Sequence, residues 1–307
     1  MPPQGKAREI ETPFPAFKPS SSSSRLLPPA VSGILAAMQF GICNEIFKDW
    51  KLPDAMRFAR AAGYDAIEIA PFTIADSVND IPAAARRQIR DDADRAGIRI
   101  SGIHWVLVNA AGMYLNHPEA ATRERTAAYF CDLVDFCSDI GGRTIVVGSP
   151  KHRNIMEGVS AEQAWQWAGQ TFRKSVQHAA TRDVVLCLEP LAPSETNFIN
   201  TAAEAIRFTS EIGSPQFKIT LDVKAMSSES KSIAQIIRDS WPHFAYFHAN
   251  DSNLKGPGFG DVDFKPIAGA LRDVGYDGVV SVEVFRFEEG PEVIATKSIE
   301  YLRRCFG

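Results

Sequence analysis

Short apolar runs alternate with longer amphipathic stretches from Met38 to the C-terminus. The runs are Gln39–Cys43, Ala66–Ala70, Ile98–Ile103, Thr144–Gly148, Val184–Leu188, Phe217–Leu221, Phe244–Phe247 and Val279–Val282. Their length and their β-branched and aromatic content are those of buried strands. The stretches between them place apolar residues at helical spacing near Pro53–Ala62, Pro82–Ala96, Pro118–Ile140, Ala161–Thr181, Ala202–Ile212, Ser232–Ser240, Phe264–Val274 and Pro291–Cys305. Several begin with proline, which suits a first helical turn. Gly63, Gly97, Gly141, Gly213 and Gly275 mark helix stops, because glycine tolerates the left-handed conformation found there. Strand and helix alternating eight times predict a parallel sheet with right-handed crossovers, closed into a (β/α)8 TIM barrel of the α/β class. No glycine-rich phosphate loop of Walker or dinucleotide type interrupts the pattern.

The last four runs each lead into a metal-ligating residue type: Glu189, Asp222, His248 and Glu283, spaced 33, 26 and 35 apart. One strand–helix repeat accounts for each interval. Side chains at the same end of neighbouring parallel strands converge, and in this architecture that end carries the active site. Three carboxylates and one imidazole suit a hard divalent cation, Mn²⁺ first, with Mg²⁺ or Co²⁺ as alternatives. Glu189 and Glu283 lie on strands at different sides of the barrel mouth, so they can flank a substrate. One would deprotonate a carbon next to a carbonyl and the other would return a proton, with the metal stabilising an enediolate.

Composition narrows the picture further. A chain of 307 residues with 45% hydrophobic content accommodates one barrel domain of about 250 residues, expected here over 38–307. Residues 1–37 differ: Pro2, Pro3, Pro13, Pro15, Pro19, Pro28, Pro29 and the run Ser20–Ser24 predict a disordered N-terminal extension. Arg25 before Leu26–Ala37 has the order of a signal peptide, but Pro28, Pro29 and Gly33 interrupt it, and Met38 reads as a natural start. No stretch reaches the roughly 20 apolar residues of a membrane span. A net charge of -4 gives no electrostatic reason to expect nucleic acid. Cys43, Cys131, Cys137, Cys187 and Cys305 form no CxxC pair and read as reduced thiols of a cytoplasmic protein.

LCLEPL (Leu186–Leu191), ITLDVKAM (Ile219–Met226), FHANDSN (Phe247–Asn253) and VSVEVF (Val280–Phe285) resemble the sugar phosphate isomerase/epimerase superfamily, the xylose isomerase-like barrels that include ketose 3-epimerases of the tagatose and psicose type. The resemblance covers nearly everything from Met38 to Gly307. It implies that Glu189, Asp222, His248 and Glu283 bind one divalent metal and that the two glutamates transfer protons. It also implies a carbohydrate substrate and, as in related barrels, a homodimer or homotetramer. A substrate-binding glutamate six positions after the first metal ligand corresponds to Glu195. The substrate-binding histidine that these epimerases place three residues after the metal aspartate is replaced by Ala225, with Lys224 beside it. That departure keeps open a lyase or dehydratase acting on a 3-keto sugar, 3-keto glycoside or keto-inositol. Endonuclease IV shares the barrel but uses three metals and more histidines than the six present.

Further candidates lie near the same rim. His104, ending the third run, and His152, in the basic segment Lys151–Arg153, are expected to contact substrate, as are Lys224 and Arg286. Glu45 and Glu68 could touch substrate or form ion pairs, Trp105 could wall a sugar ring, and Lys255 sits on a glycine-rich segment of lid-like length. His117, His178 and His243 read as structural.

Overall fold

A computed structural model describes residues 38–307; the extension expected over 1–37 lies outside them. Eight parallel strands close into a barrel in sequence order: β1 Gln39–Cys43, β2 Ala66–Ile69, β3 Arg99–Ile103, β4 Thr144–Val147, β5 Val185–Leu188, β6 Phe217–Asp222, β7 Phe244–Ala249 and β8 Val279–Val282. The ring is sealed by β1 pairing with β8. Helices cover every strand from outside, so both faces are dry, which is why the strands read as unbroken apolar runs.

The helices are α1 Leu52–Ala62, α2 Ala83–Ala96, α3 Ala120–Asp139, α4 Ala161–Arg182, α5 Ala202–Ile212, α6 Val223–Met226, α7 Ile233–Ser240, α8 Phe264–Asp273 and α9 Pro291–Phe306. Capping boxes start α4 (Ser160 with Gln163) and α5 (Thr201 with Glu204), each satisfying two backbone donors that the first turn leaves free. Pro53 and Pro291 fall in the first turn as expected, whereas Pro82 is the N-cap of α2 and Pro118 precedes the N-cap Glu119 of α3. The apolar spacing does not predict the single turn α6. It exists because Asp222, at the end of β6, caps it by accepting from the Ala225 N–H at 2.7 Å.

Between barrel and helices, Phe172, Phe208 and Phe217 pack with Phe172–Phe217 centroids 4.8 Å apart. Each is almost fully buried, a contribution of about 1.5–3 kcal/mol per side chain. At Gly102 the β3 backbone approaches β4 so closely that a Cβ would lie 2.1 Å from the Thr144 carbonyl oxygen. Only glycine permits that strand contact.

Candidate metal centre and active site

The C-terminal ends of the strands surround a cavity of about 360 Å³. Its floor carries Glu189 after β5 and Glu283 after β8, and Trp105, Val108, Leu191 and Phe285 form apolar walls. Asp222 is the last residue of β6, and His248 lies inside β7 directly opposite it in register. One ligand atom from each of Glu189, Asp222, His248 and Glu283 falls within 4.8 Å of the others, and all four residues are buried.

His248 Nδ1 lies 3.2 Å from Glu283 Oε2 and 3.7 Å from Glu189 Oε1. Yet neither Nδ1 nor Glu283 Oε2 has a hydrogen-bond partner. Buried polar atoms are rarely left unpaired, so these two, 3.2 Å apart, suit a site that holds a cation. The charges agree. Burial, then the Glu189 and Glu283 carboxylates, pushes the Asp222 carboxyl up to about 7. Burial by itself would lower His248, but the Glu283 and Glu68 carboxylates outweigh it and hold the imidazole well above its ordinary value. Glu283, despite burial, is held well below the carboxylate range by His248 and His104. A divalent cation would relieve the carboxylate repulsion, and the oxygen-rich donor set suits Mn²⁺, Mg²⁺ or Co²⁺.

Each acidic group is braced on its remaining atoms. Asp222 accepts from Ala225 N on Oδ1 and from the Asn250 side-chain amide on Oδ2. Glu283 Oε1 accepts from Trp105 Nε1 at 2.8 Å and lies 3.3 Å from His104 Nδ1. Trp105 reaches it from a left-handed backbone (φ 54°), unusual for a bulky residue and often tied to function. Arg153, fully buried, donates from Nη1 to the Glu189 backbone carbonyl at 2.7 Å. Gly148, at the end of β4, leaves room for the Glu189 carboxylate: a Cβ there would lie 2.3 Å from Oε2.

His104, His152, Glu195 and Lys224 all line the cavity. Lys224 Nζ bonds Glu195 Oε1 at 2.8 Å and rests over the Phe285 ring at 4.1 Å. His152 is lowered by burial and by neighbouring Lys151. His104 is completely buried, its Nε2 3.0 Å from Glu45 Oε2, so it bridges Glu45 to Glu283. The structure does not bring Arg286 to the cavity: it is exposed and paired with Glu288 at 2.8 Å, because the chain has left the barrel wall three residues past Glu283. Lys255 likewise turns to Glu289. His178 pairs with Asp135, and His117 accepts from the Glu119 N–H, matching their structural reading. Trp105 as a hydrogen-bond donor and Gly148 as a spacer were not foreseen; no local sequence signal marks either.

A second group, Cys43, Glu68, His104 and His248, lies deeper in the barrel, also within 4.8 Å of one another. All five cysteines are free. No helix among the described residues is long and apolar enough to cross a membrane.

A closed (β/α)8 barrel with three carboxylates and an imidazole gathered at the floor of a cavity in its mouth defines a TIM-barrel protein with a candidate active site at the C-terminal ends of its strands. The family model for xylose isomerase-like TIM barrels matches residues 56–305, and the chain belongs to that family. It is similar to D-psicose 3-epimerase of Agrobacterium fabrum, 28% identical over 225 residues that cover 73% of this chain and 75% of the relative. To the 3-dehydro-D-guloside 4-epimerase of Escherichia coli it is 24% identical over 275 residues, 87% of this chain and 100% of the relative. The crystal structure of a D-psicose 3-epimerase in the presence of D-fructose shares the fold, with a TM-score of 0.77 at 24% identity over 88% of this chain and 100% of that one.

Proposed function

We propose that this protein is a divalent-metal-dependent sugar epimerase that abstracts a proton beside a carbonyl, with 3-epimerisation of a ketose as the leading reaction. The observation that carries the reading is the pair of buried glutamates, Glu189 and Glu283, on the floor of one cavity with the unpartnered His248 Nδ1 between them. The sugar-epimerase relatives support it.

Glu189, Asp222, His248 and Glu283 would hold the ion. When bound, it supplies positive charge beside the substrate's carbonyl and neighbouring hydroxyl oxygens. The chain's own groups do the rest. One glutamate takes the proton as the carbon–hydrogen bond breaks, and the electron pair moves toward the carbonyl oxygen. The other glutamate delivers a proton to the opposite face of the same carbon, inverting it. Trp105 and His104 fix Glu283 through Oε1 and leave Oε2 without a hydrogen-bond partner, 3.2 Å from His248 Nδ1. Lys224, Glu195 and His152 face the space where substrate hydroxyls would lie, and Trp105, Val108 and Phe285 exclude water from the reacting carbon.

Ala225, standing where ketose 3-epimerases carry a histidine, favours a second reading: elimination from a 3-keto glycoside or keto-inositol. There the second carboxyl would protonate a departing oxygen instead of the carbon. Incubating the Mn²⁺-supplemented protein in D₂O with free ketoses and with 3-keto glycosides, followed by NMR, separates the two. Deuterium beside the carbonyl with inverted configuration is expected for epimerisation. Aglycone release or an unsaturated product establishes elimination instead. Absence of exchange and of product with every substrate overturns both.

A further inference from the structure

Glu68 projects from β2, away from the four strands that carry the candidate ligands, and is completely buried without lining the cavity. It reaches across the barrel interior to β7 and β8. Its Oε2 accepts from His248 Nε2 at 3.0 Å, the Tyr246 hydroxyl at 3.0 Å, the Ser281 hydroxyl at 2.8 Å and the Cys43 thiol at 3.4 Å. Tyr246 is itself held by Ser101 at 2.7 Å. Taking a carboxylate out of water costs several kcal/mol unless charge and hydrogen bonds compensate. Here three hydroxyl or thiol donors and one imidazole converge on a single oxygen, and the imidazole is its ion-pair partner.

The two nitrogens of His248 therefore meet opposite surroundings. Nε2 points at an oxygen that can only accept, so it carries a proton. Nδ1 points at Glu283 Oε2 and Glu189 Oε1 and makes no hydrogen bond. The geometry points to Glu68 as a positioning residue that locks His248 in its Nε2–H form and so presents the Nδ1 lone pair to a divalent cation. This rests on the reading of His248 as a metal ligand. A carboxylate on the far nitrogen of a ligating histidine fixes the ring and makes it more basic, and losing such a partner weakens metal binding about 10–100-fold. The cluster of Cys43, Glu68, His104 and His248 also meets the distance requirement for an ion of its own. Four donors already converge on Glu68 Oε2, whereas Oε1 has no hydrogen-bond partner, so the number of ions bound is the measurement that separates a positioning role from a ligand role.

Mn²⁺ titration of the metal-stripped full chain, read by the loss of the free-ion electron paramagnetic resonance signal, tests this without reference to turnover. One ion is expected in the parent protein. The isosteric Glu68→Gln variant should bind it about 10-fold more weakly, and Glu68→Leu about 100-fold, with the same stoichiometry. Long-range ¹H–¹⁵N correlations of the Mg²⁺-loaded parent protein provide a readout that requires no variant to fold: the proton of His248 should reside on Nε2. Unchanged affinity in Glu68→Gln overturns the inference while leaving the metal reading intact; a proton on Nδ1 overturns it together with the reading of His248 as a ligand. Loss of one of two bound ions in Glu68→Gln would make Glu68 a ligand and also overturn it. A parent protein that binds no divalent ion overturns the metal reading and this inference with it.

Discussion

Gly148→Ala separates site geometry from fold stability. The backbone at Gly148 is not in the left-handed region, so alanine meets no conformational obstacle there. The added methyl would, however, sit 2.3 Å from Glu189 Oε2, against 3.4 Å for ordinary contact, so the carboxylate must retreat by about 1 Å, a displacement that can cost about 100-fold in rate. That corresponds to about 2.7 kcal/mol of transition-state stabilisation. The obstacle is the tip of a flexible side chain, not backbone, so the fold adapts cheaply. The alanine also restricts the unfolded chain, a gain of about 0.4–1 kcal/mol. The expected result is a melting temperature equal to or above the parent's together with kcat reduced about 100-fold, measured by NMR or coupled assay at saturating Mn²⁺. Parent-level turnover would refute the claim that the observed Glu189 position is the reactive one. Turnover lost together with the folded state would refute the separation of the two effects.

Other consequences follow from the same geometry. Glu189→Gln and Glu283→Gln should each lower kcat by about 10²–10⁴, measured at saturating Mn²⁺. Trp105→Phe removes the indole N–H from Glu283 and, at about 1.5–3 kcal/mol for a hydrogen bond to a charged group, should reduce kcat about 10–100-fold with KM little changed. The metal-free protein should lose melting temperature between about pH 5 and pH 8. Asp222, raised from 3.8 to about 7, keeps in the fold a proton that the unfolded chain has released, so its contribution fades as pH climbs through that interval. His248 and His104, both raised, contribute stability that is complete below their ordinary value near 6.5 and is lost above it. Glu283, held low, acts oppositely but only below about pH 5. Scanning calorimetry against pH checks the sign, and a flat or rising profile would contradict it. Adding Mn²⁺ at about 100 times its Kd should restore about 2.7 kcal/mol.

Parallel strands made the four strand-end residues legible in the sequence. Each strand–helix unit returns the chain to the same rim, so a separation of one unit translates into proximity, and Glu189, Asp222, His248 and Glu283 could be brought together from their positions in the chain. What crosses the barrel could not. The Glu68 contacts to Tyr246 and His248 join residues 178 and 180 positions apart, across a barrel interior that no local periodicity reveals. Glu68 was therefore visible only as a carboxylate in a strand. Arg286 and Lys255 show the converse. Charged residues near the rim read as reaching inward, but glutamates beside them, Glu288 and Glu289, captured both.

Asp222 occupies two jobs with one side chain: it belongs to the proposed cation site and also anchors the turn Val223–Met226. That turn bears Lys224 on the cavity wall. Removing the carboxylate altogether would loosen the wall along with the floor, so a truncation to alanine blends two losses. Asparagine caps a turn nearly as well as aspartate while shedding the negative charge, and Asp222→Asn is consequently the variant that isolates the electrostatic duty from the mechanical one.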